Sequence, residues 1–183
     1  MIEFKKIENS SDLLFVKMYE LYRSAFPAVE RRSLGSLEHI LNYEENFEID
    51  ALLKDGEFVG FFTFWTFERF VFGEHFAIDS KMRGQNIGSE VVKMLAEKVN
   101  LPFVLEVEMP TDAQSIRRID FYERLGFKVL SHNYAQPYYD GSGKLLPMLL
   151  MSNNYHFADK HFSLIKNTLY KAVYQYFPKE EDI

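Results

Sequence analysis

The chain has 183 residues, of which 47% are hydrophobic, and this is enough for one domain with a buried core. A formal net charge of -6 at pH 7 argues against non-specific nucleic-acid binding and favours a cationic or amine-bearing partner. The absence of cysteine excludes disulfides, thiol nucleophiles and thiolate metal ligands.

Targeting and metal signals are also missing from the sequence. No apolar run approaches the roughly 20 residues that a membrane span needs, and charges interrupt the N-terminal segment Met1–Ser10. His156 and His161 are five residues apart and do not share a helix face. We therefore expect a cytoplasmic protein with no membrane partner, no nucleic-acid partner and no bound metal.

The first part of the chain predicts one strand, two helices and three further strands. Ile2–Ile7 alternates apolar and polar residues, and apolar residues at helical spacing then continue to Ala25. A second helical pattern begins near Leu34, and Asp55-Gly56 is a strong hairpin signal between apolar runs. The three strands are predicted at Phe47–Leu53, Phe58–Thr66 and Phe70–Ile78, as an antiparallel meander.

A glycine-containing loop, Arg83–Gly88 with the sequence RGQNIG, lies between the third of these strands and a predicted helix at Ser89–Val99. The N–H groups in the first turn of a helix lack intrahelical partners, and the helix dipole favours negative charge at that end. A strand, such a loop and a helix therefore predict a site for a phosphate-bearing cofactor.

The elements after this helix predict a mixed sheet. Phe103–Val107 reads as a strand, and a strand, helix and strand joined in this way form a right-handed parallel crossover. The next helix is expected to begin at Asp112 or Ser115 and to end at Gly126, which suits a left-handed C-cap. The remaining strands are predicted at Phe127–Leu130 and Pro147–Met151, with Asn133–Lys144 as a connecting loop.

Three segments carry a resemblance to a known family: IDSKMRGQNIGSEVV, LEVEMP and FYERLGF. Together they resemble the GCN5-related N-acetyltransferase (GNAT) superfamily, directly over about Phe70–Leu130 and by element order over roughly Met1–Met151. In the family's loop motif Arg83 and Gly88 match, whereas Asn86 stands where the central glycine is usual. Asparagine tolerates a positive φ better than other non-glycine residues, so the loop can keep a left-handed conformation there.

The resemblance implies a GNAT-like α/β (α+β) fold with a mixed, mostly antiparallel central sheet flanked by helices. Residues 1–152 would form the acetyltransferase domain. Residues 153–183 would form a C-terminal helical extension, because the apolar spacing over Phe157–Phe177 predicts one amphipathic helix. This helix would pack on the domain or form a homodimer contact.

The implied activity is transfer of an acetyl group from acetyl-CoA to a primary amine of a small molecule by direct attack in a ternary complex. The alternative is a catalytically silent module of the same fold that binds coenzyme A or senses a ligand. Tyr122 favours the enzyme, and the departure at Asn86 favours the silent module.

The resemblance also implies where the coenzyme would bind. Amides of the loop and of the first helical turn would hold its pyrophosphate, and the end of the preceding strand would pair with its pantetheine arm. The implied residues are Phe76, Ala77, Ile78, Arg83, Gly84, Gln85, Asn86, Ile87, Gly88 and Ser89.

Tyr122 is the candidate general acid, because the family's tyrosine at this position points at the thioester sulfur and the departing thiolate needs a proton. The amine must be neutral to attack, so a carboxylate is expected to take its proton. Glu74, close to Phe76 on the same strand, is the first candidate for this base.

Glu106 and Glu108 are the second candidates, because they share one face of a short apolar strand and can act as base or as substrate-binding residues. The alternative is ion pairing with Arg117 or Arg118.

The loop Asn133–Lys144 can contribute to the acceptor site through Tyr138 and its neighbours, whose aromatic faces hold cations. The alternative is an ordinary hairpin connection. Glu30-Arg31-Arg32 favours an anionic group instead, so the sequence leaves the acceptor's identity open.

Overall fold

The structure is a computed structural model that describes residues 1–177. Residues 178–183, the end of the predicted C-terminal extension, lie outside the described residues. The chain divides into two compact units, Met1–Leu105 and a second that begins at Glu106 and includes the described part of the extension. Mostly antiparallel strands flanked by helices, together with a parallel strand pair, confirm the predicted mixed fold class.

The first unit is built on a meander of strands with helices packed against it. In chain order its elements are β1 (Ile2–Lys6), α1 (Leu13–Ala25), α2 (Leu34–Tyr43), β2 (Phe47–Lys54), β3 (Glu57–Thr66), β4 (Val71–Ile78), α3 (Ile87–Lys98) and the start of β5 (Phe103–Glu108). The strand pairs β1–β2, β2–β3 and β3–β4 are antiparallel, and β4 pairs with β5 in parallel. This arrangement confirms the predicted meander and crossover.

Local sequence signals explain how these elements begin and turn. The Asp12 carboxylate accepts a hydrogen bond from the Leu14 N–H at 2.8 Å and caps α1, whose buried face carries Phe15 and Met18. Asp55 and Gly56 both have positive φ, 54° and 82°, as a two-residue hairpin turn of the primed type requires. The hairpin between β2 and β3 therefore forms where the sequence predicts it.

Gly60 allows β3 and β4 to approach closely. It is paired with Ile78, and a Cβ added at Gly60 would lie 2.4 Å from the carbonyl oxygen of Ala77. Because that neighbour is backbone, no side-chain rotation can relieve the clash.

We expect Gly60→Ala to lower the free energy of unfolding by about 1–3 kcal/mol, because β4 must shift to accommodate the methyl group. Urea denaturation of the two proteins measures the difference. Gly35→Ala is the matched control, since a Cβ there meets nothing within 4 Å. A loss at position 60 no larger than at position 35 would contradict the steric explanation.

The second unit combines the end of β5 with a β-sheet and a set of short helices. Its elements are α4 (Ala113–Glu123), β6 (Lys128–Val129), β7 (Tyr134–Pro137), β8 (Leu145–Ser152), α5 (Tyr155–Lys160), α6 (Phe162–Thr168) and a π-helical turn (Leu169–Val173). Strand β8 pairs antiparallel with both β6 and β7. No helix within residues 1–177 has the length and apolar character needed to cross a bilayer.

Two predicted elements of this unit differ from the structure. Asn133–Lys144 was predicted as a loop, yet its first part forms β7, and the Tyr138 N–H donates to the Lys144 carbonyl at 2.9 Å to close the hairpin. The tail was predicted as one helix, yet it is interrupted at His161, where φ is -108° and ψ is 22°. Apolar residues at helical spacing continue through the interruption at His161, so hydrophobic periodicity does not reveal it.

Candidate active site

The loop between β4 and α3 adopts the left-handed conformations that its glycine pattern predicts. Gly84 has φ 78°, and Asn86 has φ 60° and ψ 9° at the N-cap of α3. The Asn86 side chain makes no capping hydrogen bond, so it leaves the first-turn N–H groups of α3 to other partners. Asparagine therefore stands at the position where glycine is usual, and the backbone keeps the left-handed conformation there.

Side-chain hydrogen bonds hold this loop at two positions. The Arg83 Nε–H donates to the Ile78 carbonyl at 3.3 Å, and the Lys54 ammonium donates to the Gln85 Oε1 at 2.9 Å. Ile87 is buried and anchors the first turn of α3, whereas Asn86 is exposed. The loop backbone can therefore meet an anion while the helix N-terminus stays fixed in the core.

The last part of β4 extends beyond the residues that pair with β5. That pairing runs from Val71↔Phe103 to Gly73↔Leu105, whereas β4 extends to Ile78 and stays paired with β3 on its other edge. Ala77 is buried, but Phe76 and Ile78 are half-buried. Strand backbone of this kind can accept an extended molecule as an added strand.

Glu74, the first candidate for the base, lies in a buried ion pair. Its side chain is 1% exposed, and that of Arg32 is 7% exposed. The Arg32 Nη2–H and Nε–H donate to Oε1 at 2.8 and 3.2 Å, and the Trp65 indole N–H donates to Oε2 at 3.2 Å. A carboxylate occupied on both oxygens and shielded from solvent is poorly suited to take a proton from an incoming amine.

The connection between α1 and α2 is fastened to β4 through the same group of side chains. The Arg32 N–H donates to the Tyr22 hydroxyl at 2.8 Å, and the His75 Nε2 lies 2.8 Å from the Glu30 carbonyl. The rings of Tyr22 and His75 meet edge to face at 4.8 Å, and burial raises the pKa of Tyr22. The sequence suggests that these charged residues are exposed. In the structure they are therefore partly buried in the core.

Tyr122 lies near the end of α4 in an aromatic environment. Its ring centre is 5.0 Å from that of Phe121 and 5.6 Å from that of Phe127. Burial raises the pKa of Tyr122 to about 12, against the opposing charge of Arg118 and with a further increase from Glu108. The phenol therefore stays protonated at neutral pH and can donate a proton.

Glu106 and Glu108 share a half-buried face of β5, as predicted, but they have different partners. Glu108 accepts from Arg118 through Oε1, which is one of the two pairings predicted, whereas the Arg117 Nε–H donates to the Ala113 carbonyl. The Oε2 of Glu108 is buried and has no hydrogen-bond partner among residues 1–177. One oxygen of this carboxylate is held in place, and the other can accept a proton.

Glu106 is bound by two tyrosines of the second unit. Its Oε1 accepts from the Tyr134 hydroxyl, and its Oε2 accepts from the Tyr174 hydroxyl at 2.5 Å. Burial, followed by the negative charge of Glu106, raises the pKa of both phenols well above the ordinary value. The sequence does not predict a role for Tyr174, because this residue follows a π-helical turn and no sequence pattern indicates such a turn.

Tyr138, the predicted substrate-binding tyrosine, contributes its backbone to the β7–β8 hairpin and is half-buried. The ring that lies beside Tyr174 belongs to its neighbour Tyr139, with centroids 5.1 Å apart. A role for Tyr138 in substrate binding stays a prediction.

Comparison with solved structures shows that most of the chain is similar to acetyltransferases. A protein of Bacteroides thetaiotaomicron assigned to acetyltransferases of the GNAT family is 35% identical, with a TM-score of 0.88, over 94% of this chain and 98% of that chain. An aminoglycoside 6'-N-acetyltransferase in complex with coenzyme A is 18% identical, with a TM-score of 0.57, over 83% of this chain and 95% of that chain.

A third solved structure, a GNAT family acetyltransferase of Elizabethkingia anophelis with acetyl-CoA bound, is 15% identical, with a TM-score of 0.56. The match covers 82% of this chain and 96% of that chain. No functionally curated protein matches the chain. The family model described as "Acetyltransferase (GNAT) family" matches residues 15–127. With this match, and with the B. thetaiotaomicron protein similar over nearly its full length, the chain belongs to the GNAT family of acetyltransferases.

Proposed function

We propose that the protein is an N-acetyltransferase that transfers an acetyl group from acetyl-CoA to a primary amine of a small molecule by direct attack. The observation that carries the proposal is the loop before α3, in which Gly84 and Asn86 both have positive φ at a helix N-terminus. Membership of the family and two solved relatives with coenzyme A or acetyl-CoA support it. The left-handed conformation of Asn86 supports the enzyme over the catalytically silent module.

The residues of the first unit fit an extended, phosphate-bearing cosubstrate. Backbone amides from Arg83 to Ser89 would hold the pyrophosphate at the positive end of the helix dipole. Backbone of Phe76, Ala77 and Ile78 would pair with the pantetheine arm along β4. The cosubstrate supplies the activated acetyl group, and the protein's part is to orient it.

Two side chains are the proposed acid and base. Tyr122 would donate its proton to the departing sulfur, and Glu108 would take the proton that the amine loses as the new C–N bond forms and the C–S bond breaks. We prefer Glu108 to Glu74 because its Oε2 lacks a partner among the described residues, whereas both oxygens of Glu74 are occupied. A route through acetyl-cysteine is excluded, since the chain has no cysteine.

We propose that the C-terminal extension packs on the domain of its own chain. Packing against a second copy in a homodimer is the alternative. The buried side chains of the extension, Ala158, Ile165, Leu169 and Val173, follow the predicted apolar stripe, and all are at most 1% exposed within a single chain. A stripe covered in the monomer supports packing on the domain. Such a stripe does not require a second copy.

The decisive experiment is calorimetry of the purified protein with acetyl-CoA, followed by a thiol-release assay over a panel of primary amines. We expect binding, and thiol release that depends on both the enzyme and the amine. Binding without release under any amine would favour the silent module. Absence of binding would refute the proposal in both forms.

Asn86 offers a direct test of the proposed pyrophosphate site. We expect Asn86→Val to weaken acetyl-CoA binding about tenfold, because a β-branched residue is strained by 1–3 kcal/mol in the left-handed region. Asn86→Gly is the matched control and should bind as well as the parent, since glycine adopts positive φ freely. Calorimetric dissociation constants measure both, and equal affinities for the two variants would contradict the role of this loop.

A further inference from the structure

The connection between α1 and α2 carries an arginine without an anionic partner. The Nε of Arg31 is buried and has no hydrogen-bond partner among residues 1–177. No ion pair formed within the same residues involves its guanidinium. Arginine keeps its charge in proteins, and a buried charged group is costly unless it is paired. A guanidinium of this kind is therefore a candidate binding group for an anion.

The two neighbours of Arg31 hold its backbone against β4. The His75 Nε2 lies 2.8 Å from the Glu30 carbonyl, and the Arg32 Nη2–H donates to the Glu74 Oε1 at 2.8 Å. The backbone of Arg31 is fixed on both sides, so a ligand that binds its side chain does not have to order this connection.

The positive charge of Arg31 acts inside this group of side chains. Burial, followed by the negative charge of Glu74, raises the pKa of Tyr22, and the charges of Arg32 and Arg31 oppose the rise. The guanidinium therefore lies within electrostatic reach of the Tyr22 hydroxyl. The Glu74 carboxylate accepts from Arg32 on one oxygen and from Trp65 on the other, so it is poorly suited to neutralise Arg31 as well.

Part of Arg31 is open to solvent. The residue is half-buried, and residues close to it in sequence are more exposed. Val29 is 37% exposed and Leu34 is 41% exposed. The connection therefore combines a guanidinium with exposed apolar side chains. A guanidinium binds carboxylate groups through two parallel hydrogen bonds, which fixes their orientation as well as their charge.

The position along β4 indicates which molecule supplies the anion. In the proposed coenzyme site the phosphates lie on the loop from Arg83 to Ser89, and the pantetheine arm runs back along β4 from Ile78 to Phe76. His75 lies about 10 Å from Ile78 along the strand, at the acyl end of that arm. The acceptor must approach the acyl group for direct attack. An anion bound at this end therefore belongs to the acceptor and not to the coenzyme.

We propose that Arg31 binds a carboxylate of the acceptor, and that the acceptor is an amino acid or another small amine that also carries a carboxylate. The proposal rests on the proposed function and deepens it by naming the substrate class. The acceptor's carboxylate would satisfy the buried Nε–H of Arg31. Such a molecule also carries both the amine that the proposed reaction acetylates and the anion that Glu30-Arg31-Arg32 favours.

The first test compares Arg31→Met with Arg23→Met. Both variants lose one positive charge, but Arg23 is exposed in the last turn of α1. Thiol-release kinetics would use a panel of amino acids, each paired with the amine that its decarboxylation would give, such as phenylalanine with phenethylamine and lysine with cadaverine. In the parent we expect a higher kcat/KM for the carboxylate-bearing member of a pair.

Arg31→Met should lower kcat/KM for the preferred amino acids by about 10–100-fold, as for the loss of hydrogen bonds to a charged group. The amines without a carboxylate should change by no more than about twofold, because they make no contact that depends on the guanidinium. Arg23→Met should behave as the parent with both members of each pair. Equal effects of the two variants, or equal losses for both members of a pair, would overturn the inference.

Urea denaturation separates ligand binding from a structural role. Removing a buried donor that has no partner leaves no group unsatisfied, so Arg31→Met should be at least as stable as the parent. A clear loss of stability would show that the guanidinium has a structural partner, and it would overturn the inference.

A further measurement does not depend on turnover. Saturation-transfer NMR with the protein and coenzyme A would report binding of 3-phenylpropionate, with the uncharged 3-phenylpropanol as the ligand control. We expect the carboxylate to bind the parent and Arg23→Met, and to bind Arg31→Met more weakly. No preference for the carboxylate over the alcohol would overturn the inference.

Calorimetry with coenzyme A tests the other source of an anion. Arg31→Met should bind coenzyme A as the parent does, and weaker binding with an unchanged response to 3-phenylpropionate would assign the guanidinium to the coenzyme's phosphates and overturn the inference. Loss of 3-phenylpropionate binding in Arg31→Met, with no thiol release from the parent under any amine, would instead count against the proposed function alone.

Discussion

Replacing Tyr122 by phenylalanine is expected to lower kcat by about 10²–10⁴-fold, the range typical of general acid–base catalysis. The substitution keeps the ring between Phe121 and Phe127 and removes only the hydroxyl, so acetyl-CoA affinity should be unchanged. Thiol-release kinetics and calorimetry separate the two quantities. The pKa of about 12 keeps the phenol protonated below it, so Tyr122 itself should cause no loss of activity between pH 6 and about 10.

Tyr43→Phe is the control for this result, because Tyr43 is 73% exposed on α2. It should leave kcat within about twofold of the parent, since surface substitutions are usually near neutral. A Tyr122→Phe enzyme with the parent's kcat would exclude the phenol as the acid.

Arg32→Ala is expected to lower the free energy of unfolding by about 3–5 kcal/mol, because it leaves the buried Glu74 carboxylate without its guanidinium partner. The pair is almost fully shielded, with side chains 7% and 1% exposed, so solvent cannot replace the lost interaction. Urea denaturation measures the effect. Added salt should change it little, since buried pairs are weakly screened.

Lys6→Ala is the matched control, because Lys6 pairs with Glu48 at 3.0 Å with side chains 48% and 31% exposed. Its loss should cost no more than about 1 kcal/mol, as for other surface pairs. Similar losses in the two variants would contradict a structural role for Arg32.

The double variant Arg32→Met, Glu74→Leu tests directly whether Glu74 is structural or is the catalytic base. Replacing a buried ion pair with apolar side chains of similar volume often restores stability. If Glu74 is structural, this variant should recover most of the stability lost in Arg32→Ala and retain turnover. A stable double variant without activity would instead support Glu74 as the catalytic base.

The order of strands and helices could be predicted because each depends on local signals. The Asp55-Gly56 turn, the cap at Asp112 and the stop after Ala25 all act within a few residues, and all occur where expected. Asn86 was the uncertain point of the loop, and it adopts the conformation that its amide side chain tolerates.

The candidate site was predicted less completely, because partners distant in sequence decide what a carboxylate can do. Glu74 could be placed on its strand, but Arg32, 42 residues earlier, occupies it. Glu106 could be placed on a shared face with Glu108, but its hydroxyl partners come from 28 and 68 residues away. Residue spacing within one strand carries no information about such partners.

The π-helical turn has an evolutionary consequence. Its hydrogen bond spans five residues where an α-helix spans four, so the turn holds one residue more than a regular helix would. If the same number of residues formed a regular α-helix, the following side chains would be rotated by about 100°, which would carry the tyrosine away from Glu106. Among relatives, a segment one residue shorter should therefore form an α-helical turn and keep the tyrosine on the carboxylate, whereas a segment of this length needs the π-helical hydrogen bond to do so.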